Sequence, residues 1–158
     1  MLPKLGARVE LKKILVRNVE KAVAKVDDPS IITMNFEDIA NDPEIEIVVE
    51  VMGGKQPAMN YILACLDAGK NVVTANKDLV ASEGKKILAA AKRNGKDFLY
   101  EASVAGGIPI IRPVKQCLAA NHITELMGIF NGTTNFILTK MSQESMEFGD
   151  ALRLAQDM

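Results

Sequence analysis

The sequence predicts an α/β fold built on a parallel sheet. Short β-branched runs alternate with segments of helical periodicity, and strand–helix–strand repetition argues for right-handed βαβ crossovers. One run, IEIVVEVM (45–52), is nearly continuously apolar from Ile47 onward, which suits a parallel strand covered on both faces. The chain has 158 residues, 48% hydrophobic and 25% charged, so a sizeable core is within reach.

In chain order, VELKKILV (9–16) reads as a first strand, with Val9, Leu11, Ile14, Leu15 and Val16 as its apolar positions. NVEKAV starts a short helix or turn, and FEDIAND (36–42) is a helical turn. After the strand at 45–52 come Gly53 and Gly54. QPAMNYILACLDAGK then reads as a helix, with Pro57 in its first turn and Met59, Ile62, Leu63 and Leu66 on one face. Gly69 is its stop. NVVTA (71–75) is the next strand. Ser82 is expected to cap a helix that runs to about Arg93 and ends at Asn94-Gly95. DFLYEA (97–102) is a further strand.

The texture changes after Glu101, which sets an expected division into residues 1–102 and 103–158. Pro109 is expected to open a helix to about Ala120, ITELMGIFNG (123–132) to form a strand, and TTNFILTKM and SMEFGDALRLAQDM to be helical. In the last helix Asp150 and Arg153 fall on the outer face, Leu152 and Leu154 on the inner one.

Composition narrows the function classes. Nineteen Lys and Arg against twenty Asp and Glu leave no electrostatic footprint for nucleic acid. No stretch of about 18 apolar residues indicates a membrane span. MLPKLGARVELKK carries no signal-peptide core, so a cytoplasmic location is expected. Cys65 and Cys117 are isolated and read as two buried reduced thiols. With His122 the sole histidine, neither a triad nor a histidine metal site is easy to build.

In an open parallel sheet, ligands bind beyond the carboxyl ends of the strands. Arg17, Gly53-Gly54, Thr74 with Asn76 and Lys77, and Glu101 with Ser103 all sit at such ends. Each has a bland reading beside a functional one. Gly53-Gly54 is a tight turn or a ligand contact. Arg17 is a solvated loop residue or the partner of a ribose 2′-phosphate. Lys77 starts a helix, or donates a proton and clamps a developing oxyanion. Glu101 is a surface acid, or the charge beside carbonyls that Gly106 and Gly107 let approach a cation. NGTTNF (131–136), taken alone, is a strand-to-helix joint.

Taken together the motifs are more specific. VVEVMGG, GKNVVTANKDLVA, YEASVAGGIPII and GIFNGTTNFILTKM closely resemble homoserine dehydrogenases in order and spacing, from about residue 9 to the end. The resemblance implies a Rossmann-type sheet followed by the start of an α+β substrate and dimerisation domain. It implies interconversion of aspartate 4-semialdehyde and homoserine with NADP or NAD. By position, Arg17 resembles the arginine at the adenosine 2′-phosphate, and Gly53, Gly54 and Thr74 the strand-end residues along the cofactor. Lys77 resembles the active-site lysine beside nicotinamide and substrate. Glu101, Val104, Gly106 and Ile108 match the family's sodium site. The implied partners are the small-molecule substrate and a second copy of the full-length parent.

The sequence departs from the family in two places. No GxGxxG turn is present, and PKLGARVELKK resembles the segment just before the family's second strand. The first, central strand is therefore expected to be missing, leaving a gap and unpaired edges. The stretch that carries the family's substrate-binding acids and second lysine is also absent, so this chain alone is expected to be inactive. Two rival readings are a related aspartate or semialdehyde oxidoreductase, against which NGTTNFIL weighs, and a non-catalytic nucleotide-sensing or dimerising module.

Overall fold

The computed structural model describes Gly6 and residues 8–158, so the reading of PKLGARVELKK falls partly outside the described residues. β1 (Ile14–Leu15) pairs in parallel with β2 (Ile32–Thr33), Ile14 opposite Ile32 and Leu15 opposite Thr33. Helix α1 (Val19–Val23) lies between them, with the Asn18 side chain accepting from the Lys21 N–H at its start. The strand expected over 9–16 is thus reduced to two paired residues. Val9 and Leu11 remain exposed, because a strand needs a neighbouring ladder and a face to bury. β2 carries no clear signal of its own and exists through its pairing with β1. The turn expected at 36–42 is α2 (Glu37–Ala40).

The second sheet holds β3 (Ile47–Glu50), β4 (Asn71–Thr74) and β5 (Phe98–Leu99), all parallel and in that order. It is not hydrogen-bonded to the β1–β2 pair among the described residues. Crossovers α3 (Ala58–Asp67) and α4 (Lys77–Asn94) connect its strands. The strand order advances in one direction, so two right-handed crossovers place both helices on the same face. Ile62, Cys65 and Leu66 of α3, Leu79, Ile87 and Ala91 of α4, and Val72 and Phe98 of the sheet form the core between them. The opposite face is bare: Ile47, Val49 and Val51 are 59%, 63% and 72% exposed. The expectation that β3 is covered on both faces is therefore corrected, because both of its helical neighbours lie on one side.

Helix α4 begins at Lys77 with its cap at Asn76, six residues before the expected cap at Ser82. Asn76 caps it, its Oδ1 accepting the Leu79 N–H at 3.2 Å, whereas the Ser82 hydroxyl bonds back to the Asp78 carbonyl at 2.8 Å inside the helix. The expected end holds: Gly95 adopts φ 61° and closes the last turn. A Cβ at Gly95 would meet nothing within 4 Å, so Gly95→Ala carries backbone strain alone. It should lower stability by about 1–2 kcal/mol in denaturant melts; an unchanged midpoint would argue against a left-handed cap.

Beyond β5 the chain runs through short 3-10 turns at Glu101–Ser103 and Ala105–Gly107, then a π-helical turn at Pro113–Cys117. The helix expected to reach Ala120 ends near Cys117. No strand forms over 123–132. Residues 123–131 are irregular and exposed, Met127 most of all, with no partner strand among the described residues. α5 (Gly132–Glu144) is capped by Asn131, its Oδ1 accepting the Thr134 N–H at 2.9 Å. In α6 (Phe148–Gln156) Ala151 is buried and Asp150 pairs with Arg153 on the outer face, as expected. Leu152 is half-buried, but Leu154 is exposed instead of inward.

The two cysteines differ. Cys65 is fully buried, and burial pushes its thiol up to about 11 despite the Lys70 charge nearby. Cys117 is exposed, which corrects the reading of two buried thiols; its place on a short surface turn gives it no core to enter.

Candidate functional site

Because the strands are parallel, their carboxyl ends share one rim. Arg17 follows β1, Gly53-Gly54 follow β3, Asn76-Lys77 follow β4 and Glu101 follows β5. Gly53 and Gly54 both take left-handed φ, 74° and 70°, a conformation that disfavours any side chain and turns the backbone sharply after β3. Arg17, Leu15 and Val16 line a groove of about 500 Å³ together with Met34, Met52, Pro57 and Tyr61. A mostly apolar groove with one guanidinium at its edge has the chemistry of a nucleoside site bearing an anionic group. The ring of Tyr61 is fixed by stacking on Phe36, with centroids 4.0 Å apart.

Lys77 is the first residue of α4 and is exposed at the rim. Its position is set from below. Thr74 is 1% exposed, and its hydroxyl donates to Glu50 Oε2 at 2.6 Å and accepts the Asn76 N–H at 3.0 Å. The Thr74 side chain therefore faces inward, not the rim surface. Asn76 Nδ2 donates to the Gly54 carbonyl at 2.6 Å. The glycine turn and the lysine-bearing helix start are joined by that bond. Asn76 is among the strand-end residues that the sequence offers, whereas Glu50 is not. The signal for Glu50 lay in the strand alternation: it shares a face with Val48, so a carboxylate stands at an inward position of an apolar run.

Glu101 is placed differently from Arg17 and Lys77. Its Oε1 accepts the N–H groups of Ile110 and Ile111 at 2.6 and 2.9 Å, and Oε2 accepts that of Arg112 at 2.8 Å. These donors, the Ile110 N–H foremost, hold the carboxyl below the usual carboxylate range. The carboxylate is thus already met by three N–H donors. Among the described residues no cluster of three or more His, Cys, Asp or Glu is arranged to hold a metal. Val104 follows the first 3-10 turn, Gly106 has φ 59°, and Ile108 is exposed, so these backbone groups lie on one accessible loop.

A group whose folded value is depressed stabilises the fold above its unfolded value and loses that contribution as pH falls. The hold of Glu101 on residues 110–112 is accordingly complete above the ordinary value of 4.5 and fades as pH drops below it. Amide exchange at Ile110 and Arg112, corrected for intrinsic rates, should become faster in the acid limb while the Val72 amide stays protected. Equal protection of Ile110 at both ends of that range would remove Glu101 from this role.

A parallel sheet with a nucleoside-sized groove and a glycine turn at its carboxyl rim defines a dinucleotide-binding domain of Rossmann type. Comparison with known proteins gives the family. Residues 3–101 match the profile "Homoserine dehydrogenase, NAD binding domain", and residues 109–158 match "Homoserine dehydrogenase". The homoserine dehydrogenase of Bacillus subtilis is 46% identical over all of this chain and 36% of its own length; that of Synechocystis is 44% identical over 95% and 35%. The crystal structure of a homoserine dehydrogenase from Thiobacillus denitrificans superposes with a TM-score of 0.79 at 46% identity, covering 92% of this chain and 34% of that one. A hyperthermophilic archaeal homoserine dehydrogenase in complex with NADPH superposes at 0.66 with 27% identity, covering 88% and 44%. The chain belongs to the homoserine dehydrogenase family. It spans about a third of the length of the curated relatives it matches. Among the described residues, no helix is long and apolar enough to cross a membrane.

Proposed function

We propose that this chain supplies the cofactor rim and the active-site lysine of an NAD(P)-dependent homoserine dehydrogenase. The observation that carries the reading is the bond from Asn76 to Gly54, which joins the helix start bearing Lys77 to the turn beside the Arg17 groove. The nicotinamide cofactor, when bound, supplies the hydride that reduces the aldehyde carbon of aspartate 4-semialdehyde to homoserine. Lys77 donates the proton to the aldehyde oxygen, or stabilises that oxygen as negative charge grows on it. Gly53 and Gly54 let the backbone lie along the cofactor. Thr74 contributes from within, through its bonds to Glu50 and Asn76.

The wider reading follows the family. Residues 1–102 are the dinucleotide-binding part and residues 103–158 the start of the substrate and dimerisation domain, in a cytoplasmic homodimer of the complete enzyme. The exposed apolar stretch 123–131 is where a partner strand would pair. A sodium ion would draw on the loop carbonyls of Val104, Gly106 and Ile108, with Glu101 shaping the loop.

Arg17 selects NADP over NAD through the 2′-phosphate. Arg17→Ala should weaken NADPH binding roughly tenfold to a hundredfold, on the scale of a charge-assisted bond, and leave NADH binding nearly unchanged. Equal losses for both would reject Arg17 as the selector. The activity itself is tested by NADPH oxidation with aspartate 4-semialdehyde, on this chain and on a version extended at both ends to the relatives' length. Turnover in the extended version alone is the expected result. Turnover in neither overturns the reading; turnover in the short chain assigns Lys77 more of the chemistry.

A further inference from the structure

Glu50 is a buried acid without a buried cation. It is 5% exposed, and the ion pairs of the described residues do not include it. Its carboxylate is instead met by donors from two segments. The Met52 N–H reaches Oε1 at 2.7 Å and the Thr74 hydroxyl reaches Oε2 at 2.6 Å, with Asn76 Nδ2 at 3.5 Å from Oε1. The same Asn76 amide donates to the Gly54 carbonyl, and its oxygen caps α4. One carboxylate therefore organises the segment leaving β3 and the segment leaving β4. A buried charge costs free energy unless donors satisfy it, so a hydrophobic residue would serve the core more cheaply at this position. What a hydrophobic residue could not do is accept hydrogen bonds from both segments at once.

We infer that Glu50 is a positioning residue: it locks the Gly53-Gly54 turn and the Lys77-bearing start of α4 into one unit. Its importance for catalysis rests on the function proposed above. Glu50 touches neither cofactor nor substrate. It acts through Thr74 and Asn76, fixing the distance between the turn that lies along the cofactor and the lysine that serves the aldehyde oxygen. Glutamine is a stringent substitute. It keeps the volume but has one acceptor oxygen; with that oxygen on the Met52 N–H, its amide nitrogen faces the Thr74 hydroxyl, which must give up donating here and accept a second hydrogen bond beside that of the Asn76 N–H.

The test is amide hydrogen exchange with and without Glu50→Gln, paired with titration by NADPH, on the version extended at both ends to the relatives' length. Three amides report on the unit: Met52 on Glu50, Asn76 on the Thr74 hydroxyl and Leu79 on the Asn76 cap. Exchange at all three should rise about tenfold, the scale of one lost hydrogen bond, while the Val72 and Lys96 amides, which bond to Asp97 and Ala91, change less than about twofold. Unchanged exchange at the three reporters overturns the inference. A uniform rise across all amides also overturns it, since Glu50 is then only a support of the core. If Glu50→Gln does not fold, Thr74→Val breaks the same link with an isosteric side chain and should free Asn76 and Leu79. NADPH affinity should fall about tenfold in step with the reporters. Freed reporters with unchanged NADPH affinity reject the positioning role. Failure of the unsubstituted extended version to bind NADPH rejects the cofactor reading, while the exchange pattern still decides whether Glu50 joins the two segments.

Discussion

Lys77→Ala lowers kcat/KM by about a hundredfold in NADPH-linked reduction of aspartate 4-semialdehyde, measured on an enzyme carrying this segment at the relatives' full length. The size follows from the role. A lysine that transfers a proton or meets a developing oxyanion acts in the transition state, so its removal falls mainly on kcat. The structure supports that role by location: Lys77 stands exposed at the first position of α4, at the strand ends, directly after Asn76, whose N–H bonds to Thr74 and whose side chain caps the helix. Lys77→Arg separates the two forms of the role. Arginine keeps the charge but does not release its proton, so recovered activity would indicate a charge clamp and persistent loss a proton donor. An undiminished rate in Lys77→Ala would remove Lys77 from the chemistry.

Leu66→Ala destabilises the chain by about 2–5 kcal/mol in urea or guanidinium melts. Leu66 is fully buried among Ile62, Cys65, Val72 and Ile87, where α3, α4 and β4 meet. Truncation there loses buried apolar surface and leaves a cavity that the packed helix–sheet layer cannot easily close. Val49→Ala is the matching control. Val49 is mostly exposed on the bare face of β3, and its truncation should move stability by no more than about 0.5 kcal/mol. Comparable losses at both positions would contradict a core confined to one side of the sheet.

Much of the architecture was legible along the chain. The 3.6-residue spacing of Met59, Ile62 and Leu66 names the buried face of α3, and all three are buried. Gly95 ends α4 as expected because a left-handed cap is a local requirement. Where the expectation failed, the deciding interaction was not local. Ser82 and Asn76 are both acceptable caps by residue type. Asn76 is chosen because its side chain is already held at the end of β4, by bonds to segments more than twenty residues away. Val9 and Leu11 alternate like strand residues but have no neighbour to pair with, and 123–132 stays unpaired for the same reason.

The candidate site divides in the same way. Arg17, Gly53, Gly54, Lys77 and Glu101 could be picked out because each follows an apolar strand, and strand ends in a parallel sheet lie on one rim. Their actual relations are tertiary. Glu101 spends both carboxylate oxygens on N–H groups nine to eleven residues ahead. Thr74 turns inward to a glutamate on the neighbouring strand.

Periodicity, strand-end chemistry and family motifs thus determined by themselves the alternation of elements, the rim and the kinship with homoserine dehydrogenases. These depend on residue type and spacing, which the chain carries locally. Only the tertiary structure decided that β3 is covered on one face, that Cys117 is exposed while Cys65 is not, and that Glu50 joins the glycine turn to Lys77. Each of those depends on which segment becomes a neighbour, and neighbours are set by packing and strand pairing rather than by the residues on either side.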